Sequence, residues 1–537
     1  MKAYPSLRRF LSLLATVAVF AAVLAVVAWS GRPGDADRAR ADQAKAEAAR
    51  TWPMFGGSLQ RNMVNTFETG MPTEWAVGEG QEKNIKWSAD LGSKAYGGPT
   101  IAGGKIFIGT NNEKPRDPKV KGDKGIVMCF RESDGKFLWQ HVHDKLAAGR
   151  VNDWPLEGIC SSPLVEGDRL YYVNNRCEVI CSDTDGNIKW KLDMIGKFNV
   201  FPHNLATCSP LIVGDTLYVV TSNGVDEGHI NIPQPGAPSF IAVDKKNGDV
   251  KWTSNLPSVQ LVQARAAGKD VSIERLKDEG LILMHGQWSN PVYAEANGKP
   301  QIIFPGGDGW LRAFEPGNGK PIWQCDCNPK DAKYRLGPRA VRSDFVATPV
   351  VYENKVYIGT GQDPEHKEGV GHLWCIDITK EGDVSSTLVV DDKKFPPETK
   401  ENPNSGIVWH FGGPADPDKA GGRNYYFGRS LSTCAVHDGL LYTADLDGYV
   451  YCLDAKTGKK YWDHSMEAQC WSSPYWVDGK VYMGNDGGTV HIFAHGKEKK
   501  LLAEVSMDTL VRATPVAANG VLYVMTENKL YAIKKKD

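Results

Sequence analysis

Along most of this chain, apolar residues fall in short runs bounded by turn formers. A small residue and often a proline lead into an apolar strand. A Gly- or Asp-containing turn follows, and then a second, alternating apolar strand. Ser161-Ser162-Pro163-Leu164-Val165 followed by Leu170-Tyr171-Tyr172-Val173 is one such pair, and Thr348-Pro349-Val350-Val351 followed by Val356-Tyr357-Ile358-Gly359 is another. The pattern recurs at Ser473-Pro474 and Thr514-Pro515. Leading strands begin near Pro99, Pro163, Pro210, Pro291, Pro349, Thr433, Pro474 and Pro515, which predicts eight repeated units.

A second motif closes the units: an acidic residue, then a glycine, three residues and a tryptophan. Gly135/Trp139, Gly186/Trp190, Gly248/Trp252, Gly319/Trp323 and Gly458/Trp462 keep this spacing, after Glu132, Asp183, Asp244, Glu315 and Asp454. One copy is stretched, with Asp377 and Gly382 followed only later by Trp409, and another is worn, from Gly496 to Leu501. The acid caps a β-turn, Gly supplies positive φ, and the indole of the outer strand spaces neighbouring sheets. The eighth unit ends at Leu530-Tyr531-Ala532-Ile533 without an outer strand, while Ile85-Lys86-Trp87 stands before the first unit as a spare one. Pairing the two closes a ring and removes the exposed sheet edges. The prediction is all-β: an eight-bladed propeller of four-stranded blades over residues 51–537, closed by its N- and C-terminal strands.

These features resemble the PQQ-like repeat propellers of the quinoprotein alcohol dehydrogenase-like superfamily. The segment Leu453-Asp454-Ala455-Lys456-Thr457-Gly458-Lys459-Lys460-Tyr461-Trp462 is similar to that family's repeat signature, and Trp52-Pro53-Met54-Phe55-Gly56-Gly57, continuing to Arg61-Asn62, to its lead-in. The resemblance implies either a dehydrogenase with PQQ and calcium on the propeller axis or a non-catalytic scaffold similar to the assembly factor BamB. The dehydrogenases carry adjacent cysteines; the nearest approach here is Cys325-Asp326-Cys327. There is no Cys-x-x-Cys-His for a haem, and no cysteine after the N-terminal segment to carry a lipid as in BamB proper. The non-catalytic branch is therefore expected, with no cofactor.

Residues 10–29 form an apolar run long enough as a helix to cross a bilayer, preceded by Lys2, Arg8 and Arg9. Residues 1–30 read as a retained signal-anchor in preference to a cleaved signal peptide, and 31–50 as a charged, Ala-rich spacer. Basic residues on both sides leave the orientation open. The family resemblance places the propeller outside the cytoplasm, in the cell envelope. With 63 Lys+Arg against 64 Asp+Glu there is no basic field for nucleic acid.

Most polar motifs have bland readings. Cys129, Cys181, Cys375 and Cys452 occupy one repeat position and read as small buried side chains. His141 and His143 share a strand face and read as a solvated edge, and Gly306–Gly309 and Asn485–Gly488 as hairpin turns. No metal site is expected. The long loops 111–124, 223–239, 256–285, 325–344, 361–372 and 411–429 should enlarge one face, and 383–406 the other. On the elaborated face the axis should be crowded by Asn152, Asp153, Trp154, His203, Asn204, Gln287, Trp288, Asn290, Arg339, Arg342, Asp344, Arg429, Trp471 and Arg512. Of these, His203, Asn204, Trp288, Asn290, Arg342, Arg429, Trp471 and Arg512 are the ligand-binding candidates, and Asp153 or Asp344 would be the base of a PQQ enzyme. Trp87, Trp139, Trp190, Trp252, Trp323, Trp409 and Trp462 are structural. The leading expectation is a membrane-tethered scaffold whose loop-rich face meets a protein partner. The alternatives are a PQQ- and calcium-dependent dehydrogenase of alcohols or sugars, and a polysaccharide-binding envelope protein.

Overall fold

A computed structural model describes residues 51–229, 231–256, 285–332, 337, 339–391 and 395–535. The expected membrane segment at 10–29 lies outside the described residues, among which no helix is long and apolar enough to cross a membrane. The rest is an eight-bladed propeller of four-stranded antiparallel sheets. Blade 1 comprises Thr100–Ala102, Lys105–Asn111, Lys124–Arg131 and Phe137–Asp144, and blades 2 and 3 follow the same plan to Asp193 and Ser254. Blade 4 runs from Val292–Ala296 to Pro321–Asp326, blade 5 from Val350–Tyr352 to Ile407–Gly412, blade 6 from Ala435–His437 to Lys460–Ser465, and blade 7 from Tyr475–Val477 to Leu501–Ser506. Blade 8 takes Val516–Ala518, Val521–Met525 and Lys529–Ile533 from the C-terminus and Ile85–Asp90 from the N-terminal side, as the spare Trp87 strand predicts.

One residue row explains the repeat. In blade 6, Ala435 faces Tyr442, Tyr442 faces Cys452 and Cys452 faces Trp462. In blade 2 the row is Leu164, Tyr171, Cys181 and Trp190; in blade 5 it is Val350, Tyr357, Cys375 and Trp409. A small third residue lets the aromatic of strand two reach the indole of strand four, with rings 5.9–6.2 Å apart and tilted. That is why cysteine recurs at the position, and all four such cysteines are buried.

Each indole also docks on the next blade. Trp87 Nε1 donates to Glu132 O, Trp139 to Thr184 O, Trp190 to Lys245 O, Trp252 to Pro316 O, Trp409 to Ala455 O and Trp462 to Gly496 O, at 2.8–3.1 Å. The ring lies over that blade's turn glycine: a Cβ on Gly319 would sit 2.6 Å from the Trp252 ring. Blade 5 departs from the rule. Trp323 donates to Gln301 Oε1 at 2.6 Å, and Gln301 Nε2 donates onward to Ile378 O at 3.1 Å, so a glutamine relays the missing contact. The inserted segment there pairs Gly382–Asp383 in parallel with Trp323 and Gln324 at the outer edge of blade 4, then forms the hairpin Thr387–Asp391 and Glu398–Glu401. This displaces Trp409 along the sequence without displacing it in the blade.

The lead-in is a plug across the axis. Trp52 bridges Ile101 of blade 1, Pro53 O accepts from Val165 of blade 2, and Arg61 holds Ser209 O and Pro210 O before blade 3. Leu59 O and Gln60 O accept from Tyr293 of blade 4 and Val351 of blade 5. Asn62 bonds Val436 of blade 6, Val64 and Asn65 pair with Trp476 and Val477 of blade 7, and Asn65 Nδ2 reaches Ala517 O of blade 8. Fourteen residues thereby tie all eight innermost strands together, from Trp52 to Asn65.

An expected solvated edge is instead interior. His141 and His143 are 9 % and 8 % exposed, and their rings bond the Tyr172 hydroxyl at 2.8 and 2.9 Å. Tyr172 of blade 2 reaches back across the blade interface and draws both imidazoles inward.

Candidate axial binding site

Above the plug, the axis opens into a cavity of about 390 Å³ with Phe55 in its lining. Its wall follows from strand periodicity, because alternate residues of a leading segment face the same way. Four residues before the first strand of each blade stand Tyr96, Cys160, Thr207, Trp288, Val346, Leu431, Trp471 and Arg512; two residues before it stand Gly98, Ser162, Ser209, Asn290, Thr348, Thr433, Ser473 and Thr514. All sixteen line the cavity. The second set links blade to blade. Ser162 N donates to Ser209 Oγ at 3.0 Å, Ser209 N to Asn290 Oδ1 at 2.6 Å and Asn290 Nδ2 to Thr348 Oγ1 at 2.7 Å. Thr433 N donates to Ser473 Oγ, and Ser473 N to Thr514 Oγ1, both at 2.9 Å.

The mouth adds Trp154, Glu157, Asn204, Leu205, Asp363, Pro364 and Glu365. Indoles at 154, 288 and 471, with Tyr96, make it aromatic. Arg512 is the lone cation of the lining among the described residues, and its guanidinium is already engaged. It binds Asp486 through Nε and Nη2 at 3.1 and 2.7 Å, lies 3.6 Å from Glu527 and covers the Trp471 ring at 4.4 Å. The remaining charged lining groups are acids. Burial raises the Asp363 carboxyl above its usual range, opposed by hydrogen bonds from Glu365 N and Asn204; burial and the neighbouring Asp363 raise Glu365. Glu157 pairs with Lys94 at 2.5 Å.

Of the sequence-derived candidates, Asn204, Trp288, Asn290, Trp471 and Arg512 thus meet at the cavity. The others lie outside its lining. Arg429 is wholly buried, and its guanidinium donates to the carbonyls of His366, Lys367, Gly337 and Ala340, so it knits loops together. Arg342 donates to Asp308 O. Asp153 is a buried staple that pairs with Lys145 and accepts from Leu146 N and Asn175 Nδ2. Asp344 is fully buried, 3.5 Å from His285 Nδ1, and burial raises its carboxyl far above the usual range. His203 turns behind Trp288 into a group of histidines, with Nδ1 3.0 Å from Val225 O.

Sequence reasoning missed Phe55, Tyr96, Glu157, Asp363 and Glu365. The signal for Tyr96 was its place three residues before Pro99, the same register as Trp288 and Trp471. Asp363 and Glu365 sit in the long loop 361–372 that the sequence had marked. Isolated bridges between Asp344 and Gly361 and between Val370 and Gly428 join three of the long loops side by side on this face.

Comparison with solved structures returns the same architecture. A europium-containing methanol dehydrogenase superposes with a TM-score of 0.55 and 14% identity over 90% of this chain and 91% of that one. The quinohemoprotein alcohol dehydrogenase ADHIIG from Pseudomonas putida HK5 gives 0.59 and 13% over 92% and 81%. BamB from Moraxella catarrhalis gives 0.48 and 14% over 84% and 96%. No curated protein sequence matches the chain. The profile described as outer membrane protein assembly factor BamB matches residues 123–391 and 401–537, more than half of the chain, and the chain belongs to that PQQ-like propeller family.

Proposed function

We propose that the chain is a non-catalytic binding propeller of the cell envelope, tethered through residues 10–29, which presents its loop-rich face and axial mouth to a protein partner. The observation that carries this reading is the charge of the mouth. PQQ is a planar quinone bearing several carboxylates and needs cations around it. Among the described residues the lining offers Arg512 alone, already held by Asp486, and sets Glu157, Asp363 and Glu365 beside it. The residues present do not fit that cofactor. An aromatic, acidic mouth suits a cationic or neutral side chain inserted by a partner, where the indole faces and carboxylates act together.

The test is titration of purified protein with PQQ and calcium, followed by quinone absorbance and dye reduction with alcohols and sugars. No saturable binding and no dye reduction are expected. Stoichiometric PQQ binding with turnover would overturn the proposal. The indoles of Trp154, Trp288 and Trp471 also favour a second reading, sugar rings stacking in the mouth, which a glycan array tests directly.

A further inference from the structure

Behind Trp288, outside the cavity, four histidines from four separate segments converge. His203 precedes blade 3, His229 lies in the loop after its second strand, His285 leads into blade 4 and His366 lies in the loop 361–372. Ring centroids of His203, His229 and His285 are 4.7–4.8 Å apart, and His366 is 5.3 Å from His229 and 5.6 Å from His285. One nitrogen from each of the first three falls within 4.8 Å of the others.

Hydrogen bonding settles which nitrogens are free to bind. His203 is fully buried and commits Nδ1 to Val225 O, leaving its Nε2 lone pair aimed inward. The His229 ring bonds the Glu227 backbone. Among the described residues, Nε2 of His203, of His229 and of His366 is buried without a hydrogen-bond partner. Bare acceptors clustered in a dry site cost free energy unless something shared satisfies them. The unpartnered Nε2 atoms of His203, His229 and His366, gathered with the His285 ring, are the kind of nitrogen set a borderline transition dication takes.

We propose that His203, His229 and His285, with His366 completing the set, bind a zinc-class divalent ion. The surroundings supply the outer groups such a site uses. The Asp344 carboxyl stands 3.5 Å from His285 Nδ1, close enough to become an outer partner of that ring once a cation is bound, and Asp363 and Asp226 lie close enough to act electrostatically on His229. Metal–nitrogen bonds of about 2.0–2.1 Å place ligand nitrogens about 3.4 Å apart, so each ring has roughly 1 Å to close. Nitrogen ligands exclude calcium and magnesium, which take oxygen. His203 and His285 are fully buried, His229 and His366 partly so, and none of the four lines the axial cavity, so the ion is a cross-link. It ties together two long loops of the elaborated face and the segments before blades 3 and 4, and so fixes the wall that carries Trp288, whose Nε1 donates to His203 O at 3.2 Å.

The full chain, stripped with chelator in mild detergent, should take up one Zn²⁺ per chain, with calcium and magnesium failing to compete. Co²⁺ should give the intense visible bands of a tetrahedral nitrogen site. His229→Gln, on a partly exposed loop residue, should weaken zinc binding at least about 100-fold, while His464→Gln, in a histidine pair on blades 6 and 7, leaves it unchanged. His203→Gln alters a fully buried side chain; should it not fold, His229→Gln and the wild-type cobalt spectrum decide. Absence of stoichiometric zinc, wild-type affinity in His229→Gln, or loss in His464→Gln alone would each overturn the proposal.

Discussion

A single glycine shows how the repeat motif works. Gly319 has φ of +70°, and the ring of Trp252 occupies the place where its Cβ would be. Gly319→Ala therefore combines left-handed strain of about 1–2 kcal/mol with overpacking of about 1–3 kcal/mol. Gly439 has the same backbone, at +74°, and open space around it. Gly439→Ala should cost the strain alone, and the two denaturation midpoints should differ by the indole contact; equal losses would show that the contact is not tight. The spacing of Gly and Trp was legible in the sequence because it repeats, but the partner was not. The motif reads as Gly before its own Trp, whereas the Gly serves the Trp of the preceding blade. The buried histidines were illegible for a related reason, since what hides His143 is Tyr172 from the next blade. Burial, and then the neighbouring His141, push His143 down to about 4 from an ordinary 6.5. A depressed folded value means that the unfolded chain binds the proton more tightly. Its contribution is present above pH 6.5 and is lost as pH falls to about 4, an upper bound of roughly 3 kcal/mol. His143→Gln should flatten the stability profile across that window, read as urea midpoints from pH 7 to 4. A slope unchanged from wild type would refute the assignment.

At the scale of elements, the plug and the relay show what sequence patterns omit. Arg61 donates from Nε to Pro291 O at 3.1 Å, from Nη1 to Phe55 O at 2.7 Å and from Nη2 to Ser209 O and Pro210 O. Burial lowers its guanidinium to about 10, so it remains charged at neutral pH. Arg61→Met keeps much of the volume but strands four carbonyls, and should cost about 3 kcal/mol or more in chemical unfolding. A loss under 1 kcal/mol would mean that water replaces the guanidinium. The lead-in was recognisable as a resemblance, yet its role was not, because it works through backbone groups of partners 49 to 452 residues away. The fifth blade teaches the same lesson. Its motif looks broken because an insertion separates Gly382 from Trp409, while Gln301 carries the lost contact from within an ordinary strand. Gln301→Leu should destabilise by about 1–3 kcal/mol, since it leaves the Trp323 Nε1 and the Ile378 carbonyl unpaired. The cavity wall was half legible: Trp288, Asn290, Trp471 and Arg512 follow from the leading-strand register, and applying that register to every blade yields the other twelve.

For the whole molecule, closure is the feature that sequence order displays most directly and that stability should report most sharply. An open stack of repeats frays from its ends, because each unit depends only on its neighbours. A ring has no ends to fray. Here the seam pairs Ile85 with Ile533, Trp87 with Ala532 and Asp90 with Lys529, and the Trp87 indole then clamps Glu132 O of blade 1. The same strand thus completes blade 8 and docks on blade 1. The plug adds a second circuit, running round the axis from Trp52 on blade 1 to Asn65 on blade 8, the neighbour of blade 1 across the seam. A chain ending at Glu527 loses only the last short strand, but it uncovers the edges of Ile85–Asp90 and Val521–Met525 and unseats Trp87. If the ring behaves as one cooperative body, that truncation should replace the single calorimetric transition with a broad one and expose apolar surface to a dye such as ANS. If the plug alone holds the blades in a circle, the transition should stay single and shift by only a few degrees. The comparison decides which of the two circuits governs cooperativity, and the eight-point tie made by Trp52–Asn65 means that removing both should abolish folding.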